Sequence, residues 1–373
     1  MVYQSREPHR YLEHSDPRAG TEFRLEPVRH RFGESKLQAI EAIVRCMRRL
    51  LKPIAFARLL RPLAARCQPH IMTARPFLAL SLGLLLTLRA APAADYQLFA
   101  RTNLIAWCIV PFDAKKRGPE ERAAMLEKLG FKHFAYDYRA EHIPTFPAEI
   151  EACRRHGVSI DAWWFPTTMN DEAKNILDVI KRTHLKPQLW VMGGGNPTRT
   201  SEEQRQRVAA EAARVYSIAQ AAAPLGCSVA LYNHGSWFGE PENQIQILER
   251  LRRDGITNAG IVYNLHHGHT HLDRFADLLQ QMKPHLLAIN LNGMTRNGES
   301  TGKKILPLGE GDLDLKLLKI IQGSGWRGPI GILNHTDEDA EARLQDNLDG
   351  LEWLRPQLEG GEAGPKPKPR TWK

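Results

Sequence analysis

The stretch SVALYNH (228–234), with NQIQILERL (243–251) and GIVYNLH (260–266) behind it, decides the architecture. Its two outer segments are nearly continuous apolar runs that end in Asn and His, the pattern of strands buried on both faces of a sheet. The middle segment spaces Ile245, Ile247, Leu248 and Leu251 at helical intervals. A strand, a helix and a second strand in that order make a parallel crossover. The same alternation continues in both directions. Upstream lie strand candidates Asn103–Val110, His133–Tyr138, Ser159–Phe165 and Gln188–Met192; downstream lie Leu286–Leu291 and Pro329–Asn334. Helical spacing recurs over Pro119–Leu129, over Leu313–Ile321 with Asp312 as its expected N-cap, and over Asp339–Leu354. Eight such units in ~250 residues predict one α/β domain, a closed (β/α)8 TIM barrel, over residues 95–358. No Gly-x-Gly-x-x-Gly follows the first strand, so no nucleotide cofactor is expected.

Residues 72–94 carry a different signal. Met72-Thr73-Ala74-Arg75 is a short basic start, Phe77–Leu88 is apolar, and Arg89-Ala90-Ala91-Pro92-Ala93-Ala94 ends in small residues. That order is the one used for export, and it predicts a removable signal peptide and a secreted or periplasmic protein. The apolar run is shorter than the ~20 residues that span a bilayer, so no stable membrane anchor is expected. Residues 1–71 are then a leader outside the mature protein, disordered or partly helical over Leu37–Leu51, with translation expected to start at Met72. The leader and signal hold 16 of the 51 Lys and Arg and 7 of the 42 Asp and Glu, leaving 35 of each sign from residue 95 onward. A neutral domain offers no electrostatic footprint for nucleic acid. Three cysteines remain, Cys108, Cys153 and Cys227, too few for a disulfide framework. The Gly, Pro and Lys of residues 359–373 predict a disordered tail. The oligomeric state is left open.

Barrel chemistry sits where strands end. Those ends carry Asp137, then Trp163-Trp164, then Tyr232-Asn233-His234 with Trp237 and Glu240 beyond. They continue with Asn264, His266-His267-Gly268-His269 and His271, with Asn290 and Asn292, and with Asn334-His335. Of the histidine run, His267, with His269 beside it, is expected to face the opening and the rest to be solvated. Amides and imidazoles gathered at one mouth need partners, and a small-molecule sugar supplies many hydroxyls. Trp163, Trp164 and Trp237 suit its apolar ring face.

The layout, the stretch Tyr263-Asn264-Leu265-His266-His267 and the turn Leu308-Gly309-Glu310-Gly311-Asp312 together resemble the xylose isomerase-like barrel family, over nearly all of 100–356. The chain looks most like its exported members called sugar phosphate isomerase/epimerase. The resemblance implies one divalent cation held by a Glu, an Asp, a His and a second Glu, with the glutamates moving protons beside a carbonyl. Here Tyr232 stands at the first Glu position, Asn264 at the Asp, Asn290 at the His and Asn334 at the last Glu, while His267 matches a family histidine. The carboxylates that a hard cation prefers are missing. Zn or Mn on His234, His267 and His335 is the remaining expectation for a metal.

A base is still required for proton transfer next to a carbonyl. The sequence offers His234, His335, Glu240, Glu310 and Asp137 as candidate bases, with Asp137 also counted among the substrate-binding residues beside Trp164, Trp237, Asn264, Asn290, Asn292 and Asn334. The resulting expectation is an isomerase, epimerase or lyase acting on a sugar or keto-sugar. A non-catalytic carbohydrate-binding barrel is the alternative, and a metal-dependent hydrolase of the family's endonuclease branch is a third reading.

Overall fold

In the computed structural model, described here over residues 98–371, the eight apolar runs become eight parallel strands that pair in chain order and close on themselves. Each is followed by a helix: β1 (Leu104–Trp107), α1 (Pro119–Lys128), β2 (His133–Tyr136), α2 (Phe146–Arg155), β3 (Ser159–Phe165), α3 (Asp171–Thr183), β4 (Gln188–Val191), α4 (Ser201–Ala222), β5 (Ser228–Tyr232), α5 (Pro241–Arg253), β6 (Ala259–Asn264), α6 (Phe275–Met282), β7 (Leu286–Leu291), α7 (Asp314–Gly323), β8 (Ile330–Leu333) and α8 (Ala340–Leu358). Closure is made by β1 and β8, with Leu104 opposite Ile330 and Trp107 opposite Leu333. The expected leader and signal peptide lie outside the described residues. No helix among the described residues is long and apolar enough to cross a membrane.

Alternation along each strand sorts the side chains into two layers. Leu104, Phe134, Leu189, Leu231 and Ile261 face outward to the helices. Ile105, Trp107, Ala135, Ala162, Trp190, Ala230, Tyr232, Val262, Ala288 and Leu333 fill the inside. The four alanines leave room for two indoles, Trp107 and Trp190, which meet edge to face at 4.6 Å. The interior is thus a packed core with its large residues toward the end where the strands finish.

Three of the eight helices, α3, α4 and α8, start on a side-chain cap. Asn170 Oδ1 accepts from the Ala173 N–H at 2.8 Å, and Thr200 Oγ1 accepts from the Glu203 N–H at 3.1 Å. The expected Asp312 cap is not made. Instead Asp314, the first residue of α7, turns back and accepts from the N–H groups of Met294, Gly309 and Gly311 at 2.6, 2.7 and 3.1 Å. One buried carboxylate therefore satisfies a loop that approaches too closely for side chains. A Cβ on Gly311 would lie 2.3 Å from the Met294 backbone.

The tail, given no order by its composition, makes defined contacts on α8. Trp353 Nε1 donates to the Gly364 carbonyl at 2.8 Å, and Arg370 Nη1 pairs with Asp346 and Asp349 at 2.9 and 2.8 Å. Asp346 also accepts from the backbone N–H groups of Arg370 and Thr371. Buried acceptors on α8 supply the order that composition does not.

Candidate active site

Inward alternation delivers a polar or aromatic side chain from nearly every strand to the end where the strands finish. Trp107, Trp164 and Tyr232 form an aromatic floor there, with ring centroids 6.0 Å apart for Trp107–Trp164, 5.0 Å for Trp164–Tyr232 and 6.0 Å for Trp107–Tyr232. Four imidazoles stand next to it. His267 lies 5.7 Å from the Tyr232 ring, 4.5 Å from His234 and 3.7 Å from His266. His266 lies 5.9 Å from His335, and His335 packs on Phe112 at 3.9 Å.

Their electrostatics follow from crowding. Burial, then the neighbouring His234 and Lys304, lowers His267 to about 3. Burial, then Arg139, lowers His335 to about 4. His266 is held well below its usual range, chiefly by burial and then by His267 and His335. His266, His267 and His335 are thus neutral at pH 7, with lone pairs available to a hydroxyl.

The amides divide into two groups. Asn233 Oδ1 accepts from Asn264 Nδ2 at 3.0 Å, and Asn290 Nδ2 donates to Asn264 Oδ1 at 2.6 Å. This chain links β6 and β7 and uses both side-chain polar atoms of Asn264. Gly331 makes room for it, since a Cβ there would sit 1.8 Å from Asn290 Oδ1. Atoms left over include Asn290 Oδ1, Asn292 Oδ1 and both polar atoms of Asn334, buried with no hydrogen-bond partner among the described residues. Unpaired buried amides are costly, and a bound polar molecule would remove that cost.

Asp137 follows β2 on the inward side. Its Oδ1 accepts from the Val110 N–H at 3.3 Å and its Oδ2 has no partner among the described residues. Burial drives the carboxyl up to about 7 against the pull of Arg139. Facing it is Cys108, which the sequence reading missed. That residue follows β1 in a left-handed conformation, φ +59°. Burial first, and then the Asp137 carboxylate, push its thiol well above the usual range. The signal was present but displaced. Extending the first strand to Val110 hid the residue that follows its true end at Trp107.

Three expected site residues are engaged elsewhere. Glu240 binds His271 at 3.2 Å and Arg274 at 3.0 Å. Glu310 pairs with Lys366 of the tail at 3.0 Å. Trp237 belongs to the outer layer, donating to Gln204 at 2.8 Å under the Arg207 guanidinium. The histidine run also departs from expectation. His266 and His271 are buried rather than solvated, and His271 bonds the Tyr263 hydroxyl at 2.9 Å. The expected metal set His234, His267 and His335 does not assemble: His234 and His267 adjoin, while His335 makes its ring contacts with Phe112 and His266. Among the described residues no three His, Cys, Asp or Glu side chains stand together as ligands. With amides at the positions where carboxylates would bind, the donor set does not fit the divalent cation that the resemblance implied.

The family model described as xylose isomerase-like TIM barrel matches residues 120–357. Among similar solved structures, the IolI protein with a bound zinc atom has a TM-score of 0.54 at 14% identity, covering 68% of this chain and 98% of its own. D-allulose 3-epimerase from Methylomonas sp. has a TM-score of 0.51 at 13% identity, covering 67% and 97%. The 3-keto-D-glucoside 4-epimerase YcjR from E. coli has a TM-score of 0.50 at 15% identity, covering 68% and 99%. Identities this low establish a shared fold only. A search of curated proteins finds no match.

Proposed function

Because the chain belongs to the xylose isomerase-like TIM barrel family, we propose that it is an exported sugar isomerase or epimerase that moves a proton next to a carbonyl without a carboxylate-bound cation. The observation that carries this reading is the aromatic floor beside a cluster of imidazoles at one barrel end. A sugar ring stacks on such a floor through its C–H face. His234 then stands within reach as a proton acceptor and His267 as a hydrogen-bond acceptor, and the unpaired atoms of Asn290, Asn292 and Asn334 suit hydroxyls. The names of the similar epimerases, which act on D-allulose and a 3-keto-D-glucoside, support a substrate whose reacting carbon adjoins a carbonyl. Export rests on the Met72–Ala94 segment. The self-contained amide chain favours one second reading, a barrel that binds carbohydrate without converting it.

The test uses purified full-length protein, a panel of sugars and keto-sugars in D2O, and NMR detection of deuterium at carbons next to the carbonyl. Incorporation into at least one sugar, surviving treatment with a chelator, is the expected result. Saturable binding with no incorporation across the panel would replace the enzyme with the binding barrel. Incorporation lost on chelation and restored by Zn or Mn would overturn the metal-independent part.

A further inference from the structure

We propose that Asp137, steadied by Cys108, is a second proton-transfer group that works on the side of the bound sugar opposite His234 and His267. The inference rests on the proton-transfer reading above and deepens it. Topology carries the first part. In a closed ring of eight strands, members four apart lie across the barrel from each other. Cys108 follows β1 and His234 follows β5; Asp137 follows β2 and His267 lies beyond β6. The carboxyl and thiol therefore enter the mouth from the side opposite His234 and His267, with the indole and phenol rings between them, while His335, which follows β8 and packs on Phe112, stands on the near side.

The second part is the state of the carboxyl. Asp137 is 1% exposed, and its Oδ2 has no partner among the described residues. The groups that bear on it are Arg139, Arg122, Cys108, Tyr136 and Tyr232. Arg122 is already ion-paired with Glu149. Burial outweighs the guanidinium groups and keeps the acid near half-protonated at neutral pH, which suits a group that must both give and take a proton. Cys108 holds an unusual backbone conformation directly beside it. Local strain of this kind persists where the surroundings over-determine it, and it gathers at functional sites.

The step balances as follows. An imidazole removes the C–H proton, and that electron pair moves into the adjacent carbonyl to give an enediolate. The Asp137 O–H bond breaks and its proton goes to the opposite face of the carbon. The enediolate electron pair forms the new C–H bond and the carbonyl re-forms. Water returns a proton to the carboxylate and takes one from the imidazolium. Asp137 is the catalytic residue; Cys108 is a positioning residue.

The experiment compares full-length wild type with Asp137→Asn, Asp137→Glu, Cys108→Ser and Cys108→Ala in D2O, on the sugar that wild type exchanges. For Asp137→Asn, inverted product is expected to fall by about 100-fold or more, while deuterium still enters recovered substrate through the imidazole face. Asp137→Glu is expected to restore part of the inversion, which separates lost chemistry from lost folding. Cys108→Ala is expected to lower kcat and shift the pH profile at unchanged KM, and Cys108→Ser to restore both. Inversion by Asp137→Asn within a few-fold of wild type overturns the assignment alone. A wild-type chain that exchanges no sugar overturns the enzyme reading and this assignment with it.

Discussion

His267 shows how one side chain's state is set by what packs on it. Its unfolded value is about 6.5, and burial beside His234 and Lys304 lowers the folded value to about 3. Below pH 6.5 the unfolded chain therefore binds more protons at this site than the folded one. Stability is lost as pH falls from about 6.5 toward 3, with a limiting slope of about 1.4 kcal/mol per pH unit. The imidazole is partly solvated, so the measured slope is expected to be smaller. His267→Asn is expected to flatten the fall in chemical denaturation midpoint between pH 6.5 and 4; an unchanged profile would refute the neutral imidazole. Asp137 runs in the opposite sense. Its carboxyl is raised to about 7, so its own contribution declines as pH rises from about 4 to 7. The sequence showed that His267 and Asp137 would meet at one mouth. It did not show these states, because they depend on neighbours brought in from tens of residues away in the chain.

At the level of the element, β8 and β7 are matched by one absent side chain. Gly331 on β8 leaves the space that Asn290 on β7 occupies, and the two residues are partners in register. Gly331→Ala would push the Asn290 amide aside and break its 2.6 Å bond to Asn264. A loss of about 1–3 kcal/mol is expected from overpacking, read by urea denaturation, together with weaker sugar binding by calorimetry. The strands and helices themselves were legible. Ser159–Phe165 and Leu286–Leu291 keep the predicted bounds, whereas the first strand stops at Trp107. Apolar composition continues past that point through Val110, so hydropathy alone cannot place the break. Of the three tryptophans expected at the rim, alternation turns Trp164 inward and Trp163 outward, and Trp237 lies beyond a strand, where alternation has no force.

For the whole molecule, the decisive event is closure, and it is reinforced outside the sheet. Arg117, after β1, pairs with Asp113 at 2.8 Å and reaches Asp339 and Glu341 at the start of α8 at 2.8 and 3.0 Å. The Ala340 N–H donates to Asp113 at 3.1 Å, joining the first and last units again. Asp113 and Arg117 are almost fully buried, so removing one partner leaves an uncompensated charge. Arg117→Ala is expected to destabilise the barrel by about 3 kcal/mol, seen as a lower urea midpoint in a single transition. A change below about 0.5 kcal/mol would show that closure does not depend on this network.

Periodicity and strand-end composition settled that eight parallel units close into a barrel and that His, Asn and Asp side chains ring one opening. Both are local properties, written in consecutive residues. Which of those side chains are available to a substrate was settled by packing at long range. Glu240, Glu310 and Trp237 are held by partners on helices and on the tail, and Asn264 is held by its fellow amides. Cys108 and Asp137 face each other because β1 and β2 pair side by side and each residue follows the end of its strand. Spacing along a chain records direction and period; it carries no record of which distant group arrives to neutralise, desolvate or occupy a side chain.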